Sequence, residues 1–274
     1  MLTLLLLKPL PAISCMHLQG KVVLITGASD GIGAACAHAF RSRGAQLSLI
    51  ARTREKLERV GADEAVITAG DLKDPAVRAA CVEATLLRYG RIDVLINNAG
   101  VGLYVPSWRA PEQDVRDMLE LNLYAVLGMT QLVVPAMKRQ GAGTVVNISS
   151  IAGLVTLPWF TLYSASKFAV RSMTDGLRME LRKEGVHAMT VCPGYVRTGF
   201  QENVLAGRPP DKLWRMRRFA ITAEQCAEAI ARGVERDART VVTPRIGWAL
   251  LAARALFPRL IDGRLEGIYR GLDL

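Results

Sequence analysis

Two side chains that could exchange a proton lie four residues apart in the segment YSASK. The segment is expected to be helical, and Tyr163 and Lys167 then share one face of the helix. The phenol of a free tyrosine has a pKa near ~10. A nearby ammonium group stabilises the phenolate and lowers that pKa, so proton exchange becomes practical near neutral pH. An ordinary exposed helix pair is the alternative interpretation of this spacing.

Two further polar residues precede this pair and could act with it. Ser150 ends the segment NISS at the exit of a predicted strand, and its hydroxyl could hydrogen-bond the oxygen of a substrate. Asn122 lies in the apolar helical segment LNLY. A polar side chain there needs a local partner, such as a backbone carbonyl or an ordered water.

A glycine-rich segment near the start of the chain has the spacing of an anion-binding turn. In TGASDGIG the glycines permit a tight strand-to-helix turn and let backbone N–H groups approach a pyrophosphate at the helix N-terminus. Because the spacing departs from the common GxGxxG pattern, a purely structural turn is the alternative. The cofactor-binding residues assigned to this turn are Gly27, Ser29, Asp30, Gly31, Ile32 and Gly33.

The residue that follows the second predicted strand distinguishes two dinucleotides. An NAD-specific site usually has Asp or Glu at this place, where it binds the ribose hydroxyls, whereas Arg52 suits the 2′-phosphate of NADP(H). Asp30 argues the other way, because a carboxylate in the glycine turn would repel a nearby phosphate. We interpret the pattern as a preference for NADP(H) over NAD(H).

Short apolar runs alternate with helix-length segments from Lys21 onward. This alternation predicts an α/β fold with a Rossmann-type, doubly wound parallel sheet in a single domain. Asp74 and Pro75 predict the start of a helix over Ala76–Tyr89, and a capping box at TAEQ predicts a helix that runs toward Arg236. The predicted strands are Lys21–Thr26, Gln46–Ile50, Ala65–Thr68, Ile92–Ile96, Thr144–Ile148 and Val186–Val191.

More candidate cofactor-binding residues follow the third and fourth strands. Both positions lie at the carboxyl ends of parallel strands, which is the edge where an open α/β sheet binds ligands. These residues are Asp71, Leu72, Asn98, Ala99 and Gly100.

Taken in this order, the motifs resemble the short-chain dehydrogenase/reductase family, in its shorter single-domain branch. The resemblance runs from about Gln19 to Thr198 and covers TGASDGIG, Asp71, NNAG, Asn122, Ser150, YSASK and a Pro–Gly pair. It implies an oxidoreductase that moves a hydride between nicotinamide and a carbonyl or a secondary alcohol. The catalytic residues that it implies are Asn122, Ser150, Tyr163 and Lys167.

The resemblance also implies a role for each of these residues. Tyr163 would give its proton to the oxygen during reduction or take it during oxidation. Lys167 would hold the nicotinamide ribose and tune Tyr163, so both residues would also contact the cofactor. Ser150 would orient the substrate, and Asn122 would anchor a water that relays protons. The segment that would line the nicotinamide contains Pro193, Gly194, Val196 and Thr198.

The candidate substrate pocket is mostly apolar or aromatic, which predicts a bulky lipophilic carbonyl or alcohol. With Ser150, the substrate-binding residues are expected to be Leu103, Trp159, Phe160 and Trp214. A carrier-bound 3-oxoacyl substrate is the alternative, because basic residues in a predicted lid at about 199–221 could admit an anionic carrier. A non-catalytic NADP-sensing protein is another alternative, although such a protein would be expected to have lost part of the catalytic set.

Composition narrows the classes of partner. The 274 residues carry a formal charge of +10, but the basic residues are spread out and accompany no nucleic-acid-binding motif, so we expect no nucleic acid partner. The five cysteines and three histidines form no metal-binding pattern, and the scattered cysteines favour reduced thiols in a cytoplasmic protein. We expect a homodimer or homotetramer.

The two ends of the chain lie outside these motifs. Residues 1–15 contain the apolar run Leu2–Leu7, which is too short to span a bilayer, and we expect them to be a non-essential leader before a domain over 16–274. A helical extension is predicted at about 244–274, with an apolar helix over Ile246–Phe257. This helix could pack on the lid, form a subunit contact, or lie on a membrane with its flanking arginines at the head groups.

Overall fold

The central sheet is parallel throughout, as the alternation of strands and helices predicts. The computed structural model describes residues 16–61, 64–207 and 220–269. Its strands are β1 (Val22–Thr26), β2 (Gln46–Ala51), β3 (Val66–Ala69), β4 (Val94–Asn97), β5 (Gly143–Ile148), β6 (Val186–Pro193), β7 (Val196–Arg197), β8 (Ile221–Thr222) and β9 (Thr240–Thr243). Seven of them pair in the order β3-β2-β1-β4-β5-β6-β9, while β7 and β8 form a separate parallel pair.

Helices cover both faces of this sheet. Helices α1 and α7 pack on one face, where Cys36, Phe40 and Ile230 are fully buried. Helices α3, α5 and α6 cover the other face, where Val82 and Met129 belong to a second apolar cluster. The helices are α1 (Gly31–Arg41), α2 (Arg54–Gly61), α3 (Pro75–Tyr89), α4 (Glu112–Leu119), α5 (Ala125–Gln140), α6 (Thr161–Glu180), α7 (Ala223–Glu235), α8 (Gly247–Leu256) and α9 (Pro258–Tyr269). The Rossmann-type, doubly wound fold with a helical C-terminal region is confirmed.

The predicted helix starts are correct because their capping residues act locally. The Asp74 carboxylate accepts the N–H of Ala76 at 2.8 Å, and Pro75 occupies the first turn of α3. At the start of α7, Thr222 and Gln225 form both hydrogen bonds of a capping box.

Some elements differ from the prediction. Strand β9 was not predicted, because four residues carry little periodic signal. It pairs with β6, with Thr243 opposite Pro193, and so adds an edge strand to the sheet. Helix α9 lies within the helical extension predicted at about 244–274, although its bounds were not predicted; it begins at Pro258, a residue that is well tolerated in the first turn of a helix.

One continuous helical segment among the described residues, 112–140, is long and apolar enough to cross a membrane. It consists of α4, a π-helical segment (Glu120–Tyr124) and α5. Its Met118, Met129 and Val133 are buried at 1% exposure or less in the core of the domain. Packing against the sheet therefore accounts for the apolar character of this face.

A buried carboxylate joins two strands at the amino edge of the sheet. Asp93 precedes β4, and its side chain accepts the N–H of Val22 at 2.9 Å and the Nε–H of Arg91 at 2.8 Å. The ammonium of Lys21 lies 3.4 Å away. Burial alone would raise the pKa of Asp93, but these hydrogen bonds and charges outweigh it and hold the pKa below its usual value.

We expect Asp93→Ala to lower the free energy of unfolding by about 2–3 kcal/mol, because it leaves the Val22 N–H without its partner. Since the folded-state pKa of Asp93 is depressed, its contribution is present at neutral pH and is lost as pH falls through that pKa. Urea unfolding across this range measures both effects. Glu112→Ala, which removes an exposed partner of Arg116, is the control and should cost less than about 0.5 kcal/mol. Equal losses for the two variants would contradict the interpretation.

Candidate active site

The predicted proton-exchanging pair lies on α6, and both side chains are buried. Tyr163 is 6% exposed and Lys167 is 4% exposed. The Lys167 ammonium donates a hydrogen bond to the carbonyl oxygen of Ile148 at 3.0 Å and lies 5.6 Å from the centroid of the Tyr163 ring. The pair is therefore held at the carboxyl end of β5, where Ile148 is the last residue.

Ser149 connects the exit of β5 to the same helix, and sequence reasoning did not single it out. Its hydroxyl donates a hydrogen bond to the carbonyl oxygen of Lys167 at 2.8 Å. This contact fixes the backbone that carries the lysine. The NISS segment held the only available signal, since two adjacent hydroxyls follow the strand.

Ser150 faces the phenol, as expected. Its Oγ accepts the N–H of Ala152 at 3.1 Å and so caps a short 3-10 turn over Ile151–Gly153. The Ser150 side chain also interacts with the Tyr163 side chain and lowers the pKa of the phenol. The turn thus points a hydroxyl group at the candidate acid.

Asn122 is fully buried within the π-helical segment, and it has the backbone partner that its position requires. Its Oδ1 accepts the N–H of Val101 at 2.8 Å, and its Nδ2 donates to the Val101 carbonyl oxygen at 2.9 Å. Nδ2 also donates to the Ser166 hydroxyl at 3.1 Å. Asn122 therefore joins the loop after β4 to α6.

Burial changes the proton affinity of the pair in opposite directions. It raises the pKa of Tyr163 well above its usual value, although the hydrogen bond with Ser150 acts against this. It lowers the pKa of Lys167 to about 8. The expected net lowering of the Tyr163 pKa is therefore wrong for the protein alone. The lysine directs its hydrogen bond to Ile148, and desolvation of the phenolate dominates.

The glycine turn has the close backbone approach that its sequence predicts. A side chain at Gly33 would overlap the carbonyl oxygen of Gly27, so this position requires glycine. The Asp30 carboxylate accepts the N–H of Gly31 at 2.6 Å and caps α1. Ser29 precedes this cap and Ile32 packs against the core, so all six assigned residues lie in the turn or in the first turn of α1.

Thr26 links this turn to the end of β4, a role that sequence reasoning missed. Its Oγ1 accepts the backbone N–H groups of Asn98 at 2.9 Å and Ala99 at 3.1 Å. The Asn98 side-chain amide donates to the Gly27 carbonyl oxygen at 3.1 Å. The two predicted loops therefore form one continuous surface.

Gly100 continues this surface toward the proton-exchanging pair. A Cβ atom at Gly100 would lie 3.0 Å from Oδ1 of Asn122 and 3.3 Å from Nζ of Lys167. The absence of a side chain leaves room beside the ammonium group. The glycine turn, the loop after β4 and α6 thus border the same region.

The segment after β6 closes over the glycine turn. The N–H of Gly194, the residue after Pro193, donates to the Thr243 carbonyl oxygen at 2.7 Å, and Val196 pairs with Ile221. The side chain of Thr198 would meet a Cβ atom at Gly31 at 3.1 Å. Of the four residues assigned to the nicotinamide segment, Thr198 therefore reaches the glycine turn, while Pro193, Gly194 and Val196 are held by β9 and β8.

Arg52 lies exposed directly after β2, next to the predicted binding edge. The Lys73 pKa is raised chiefly by a hydrogen bond to Asp117, whereas the charge of Arg52 lowers it, so the two cations lie near each other. Asp71 accepts the backbone N–H of Lys73 at 2.9 Å, and Leu72 is buried at 5% exposure. Lys73 is the residue at this edge that sequence reasoning missed.

Aromatic rings stack against the candidate acid. The Phe160 ring lies 4.1 Å from the Tyr163 ring on one side and 4.0 Å from the Tyr104 ring on the other, centroid to centroid. Phe200 tilts toward Tyr163 at 5.7 Å. Leu103 is buried in the same cluster, and this cluster surrounds the phenol with apolar surface.

The loops on either side of this cluster carry the remaining substrate candidates. Trp159 has a left-handed backbone (φ 61°), which is uncommon outside glycine. The start of the predicted lid is held by two hydrogen bonds, from the N–H of Leu205 to the Gly102 carbonyl and from the N–H of Tyr104 to the Ala206 carbonyl, both at 3.0 Å. Trp214 lies outside the described residues.

Comparison with known proteins identifies the family. The model of the short chain dehydrogenase family matches residues 21–209. A dehydrogenase/reductase SDR family member 7B of Danio rerio is 33% identical over 265 residues, which cover 89% of this chain and 84% of that protein.

Solved structures agree with this match. A short chain dehydrogenase/reductase from Burkholderia phymatum, in complex with NAD, superposes with a TM-score of 0.80 at 27% identity and covers 89% of this chain and 96% of that chain. A short chain dehydrogenase from Burkholderia cenocepacia, in complex with NADP, has a TM-score of 0.77 at 29% identity, covering 91% and 99%. The family model spans more than half of the chain, and the motifs lie in one region of the described fold. The chain therefore belongs to the short-chain dehydrogenase/reductase family of oxidoreductases.

Proposed function

We propose that this protein is an NADP(H)-dependent oxidoreductase that moves a hydride between nicotinamide and the carbonyl or secondary alcohol of a bulky, lipophilic substrate. The buried arrangement of Ser150, Tyr163 and Lys167 carries the proposal, because it joins a hydroxyl, a phenol and an ammonium group at the carboxyl end of β5. The non-catalytic alternative is disfavoured because all four candidate catalytic residues are present.

The residues around the glycine turn fit a dinucleotide. Close approach of the backbone at Gly33 leaves N–H groups at the start of α1 for a pyrophosphate. Gly100 lies between this turn and the Lys167 ammonium, where a Cβ atom would come within 3.3 Å of Nζ. When bound there, a nicotinamide dinucleotide supplies or accepts the hydride.

The chain's own residues hold the proton and transfer it to the substrate oxygen. Tyr163 keeps its proton at neutral pH because burial raises its pKa, so it can donate to a carbonyl oxygen during reduction. The Ser150 hydroxyl orients the same oxygen. Lys167 stabilises the phenolate that results, because attraction between opposite charges is strong in a buried site. Asn122 holds the loop after β4 in place and would anchor a water that relays protons.

Two cations favour NADP(H) over NAD(H). The fold itself accommodates either dinucleotide, since the solved relatives carry NAD in one case and NADP in another. In this chain Arg52 follows β2, and the Lys73 ammonium, which pairs with Asp117 at 2.8 Å, adds positive charge near the same edge of the sheet. A 2′-phosphate at this edge would interact with both positive charges. Asp30 opposes binding of a phosphate less than its charge suggests, because its carboxylate already caps α1.

The aromatic cluster favours a lipophilic substrate. Tyr104, Phe160 and Phe200 surround Tyr163, so any group that reaches the phenol contacts rings. The basic lid residues that would suit a carrier-bound 3-oxoacyl substrate lie at 208–218, outside the described residues. Consumption of NADPH with ketones and aldehydes graded by size and polarity, beside a 3-oxoacyl thioester, tests the substrate class. A clear preference for small polar carbonyls would overturn the lipophilic assignment.

The proposed assembly is a homodimer or homotetramer, and the proposed compartment is the cytoplasm. Tyr124, Leu127 and Leu132 expose 54%, 37% and 38% of their surfaces along one long helical segment, which favours a homodimer or homotetramer through this face. The free thiols of the described cysteines, all of them buried, favour a cytoplasmic protein.

We expect Tyr163→Phe to lower kcat by ~100-fold or more while cofactor affinity stays close to normal, because only the transferable proton is removed. Steady-state turnover and fluorescence titration with NADPH measure the two quantities. Tyr124→Phe removes an exposed phenol and serves as the control. Retention of more than about a tenth of the natural activity would refute the assignment of Tyr163 as acid/base.

We expect Arg52→Ala to weaken NADPH binding by about ten- to a hundredfold and NADH binding far less, because only NADPH carries the 2′-phosphate. Titration of both cofactors against both proteins gives the comparison. Arg54→Ala is the matched control, since Arg54 is exposed nearby and pairs with Glu58. Equal losses for the two cofactors would mean that Arg52 has a structural role instead.

The buried ammonium should make stability depend on pH. Because burial lowers the pKa of Lys167 from 10.5 to about 8, the folded chain holds fewer protons than the unfolded chain between these values. Stability of the natural protein therefore rises with pH across this window. We expect Lys167→Met to abolish turnover and to be more stable at neutral pH by up to about 3 kcal/mol.

Chemical unfolding at several pH values checks this expectation. The advantage of Lys167→Met should narrow as pH rises from about 8 toward 10.5. Lys138→Met, at an exposed lysine that pairs with Glu184, should show no such trend. A stability difference that stays constant with pH would rule out a buried, charged Lys167.

A further inference from the structure

The C-terminal hairpin, formed by α8 and α9, turns apolar side chains toward solvent. Ile246, Trp248, Leu256, Phe257 and Leu260 expose 59%, 50%, 71%, 59% and 54% of their surfaces. No residue of α8 is fully buried. Scattered exposed apolar residues are normal, but five within fifteen positions form a patch.

The exposed residues of α8 form a continuous stripe. Trp248, Ala249, Ala252, Ala255 and Leu256 recur at intervals of three and four, so they share one helix face, and all are exposed. The stripe contains no charged residue. This arrangement reverses the usual one, in which the apolar face of a surface helix meets the core.

The other side of the hairpin connects to the protein. Gly247 packs against Val242 of β9 and against Ile151, the residue after Ser150. Arg254 forms an ion pair at 3.1 Å with Asp262, which joins α8 to α9. The attachment and the ion pair therefore fix the hairpin with its apolar stripe outward.

Positive charge borders the stripe. Arg245 precedes α8, and Arg259 and Arg264 lie on α9; all three are exposed. Two acids, Asp262 and Glu266, share this part of the chain, and Asp262 is already paired with Arg254. The rim of the apolar patch is therefore cationic, in a chain whose formal charge is +10.

We propose that the hairpin docks on the surface of an anionic lipid bilayer, with the stripe of α8 among the acyl chains nearest the head groups. A helix of ten residues is about 15 Å long, too short to span a bilayer but suited to lie in its interface. Tryptophan favours the interface, and exposed arginines attract anionic head groups. A second copy of the chain fits less well, because the rim of its patch would carry the same excess of positive charge. Docking would also hold the site beside Ile151 close to the lipid.

Sedimentation of the full chain with vesicles tests the proposal without any measurement of catalysis, so its outcome is independent of the proposed function. We expect binding to phosphatidylcholine vesicles that contain phosphatidylserine, weaker binding to phosphatidylcholine alone, and release at high salt. The triple variant Trp248→Ser, Leu256→Ser, Phe257→Ser should lower the partition coefficient by at least about tenfold. The matched control, Leu87→Ser with Met179→Ser, changes side chains that are 88% and 75% exposed elsewhere and should bind normally.

Two charge variants distinguish electrostatic attraction to anionic lipid from non-specific adsorption. Each of Arg259→Gln and Arg264→Gln should lower partitioning to the anionic vesicles by about fivefold, with little effect on neutral vesicles. Circular dichroism establishes that each variant is folded. The proposal is overturned if the natural chain does not bind anionic vesicles, or if the triple variant binds as well as the control. It is also overturned if the triple variant alone dissociates an oligomer while vesicle binding is unchanged, which would assign the stripe to a subunit contact.

Discussion

The placement of Tyr163 and Lys167 at the junction of β5 and α6 depends on the buried ammonium group of Lys167. A charge removed from water needs a partner, and the nearest one is the carbonyl oxygen of Ile148. This hydrogen bond sets the distance between β5 and α6, and the Ser149 hydroxyl holds the lysine's own carbonyl at the same junction. Gly100 lies beside the ammonium, where a Cβ atom would come within 3.3 Å of Nζ. The position of the candidate catalytic pair, Tyr163 and Lys167, thus follows from the need to solvate one cation inside the protein.

The π-helical segment supplies hydrogen-bond partners for backbone groups in the loop after β4. The loop after β4 carries backbone N–H and C=O groups at Val101 that no neighbouring strand pairs, and buried groups of this kind need partners. Asn122 satisfies both of them with one side chain. The wider turn of the π-helix is a local departure from α-helical geometry of the kind often found at functional sites. Through Ser166 the same side chain reaches α6, so two loops and a helix are fixed together.

Local signals account for what the sequence could predict. The first six strands of the sheet and the caps at Asp74 and Thr222 depend on neighbours within a few residues, and these predictions are confirmed. Features that join distant segments were not predictable in this way. The Thr26 hydroxyl meets backbone groups more than seventy residues away, and Ser149 meets the carbonyl of Lys167. The Tyr163 pKa was misjudged for the same reason, since burial depends on rings from several loops.

Burial of the pair also explains why its two proton equilibria must be linked. In the protein alone, desolvation favours a neutral phenol and opposes the positive charge on the lysine, whose pKa falls to about 8. Loss of the phenol proton would place a negative charge near the ammonium, where low dielectric strengthens the attraction and favours the protonated lysine. Any anionic ligand beside Gly100 would act in the same direction. When ligands are present, the site therefore favours a Tyr163 phenolate together with a protonated Lys167. It disfavours either charge in the absence of the other.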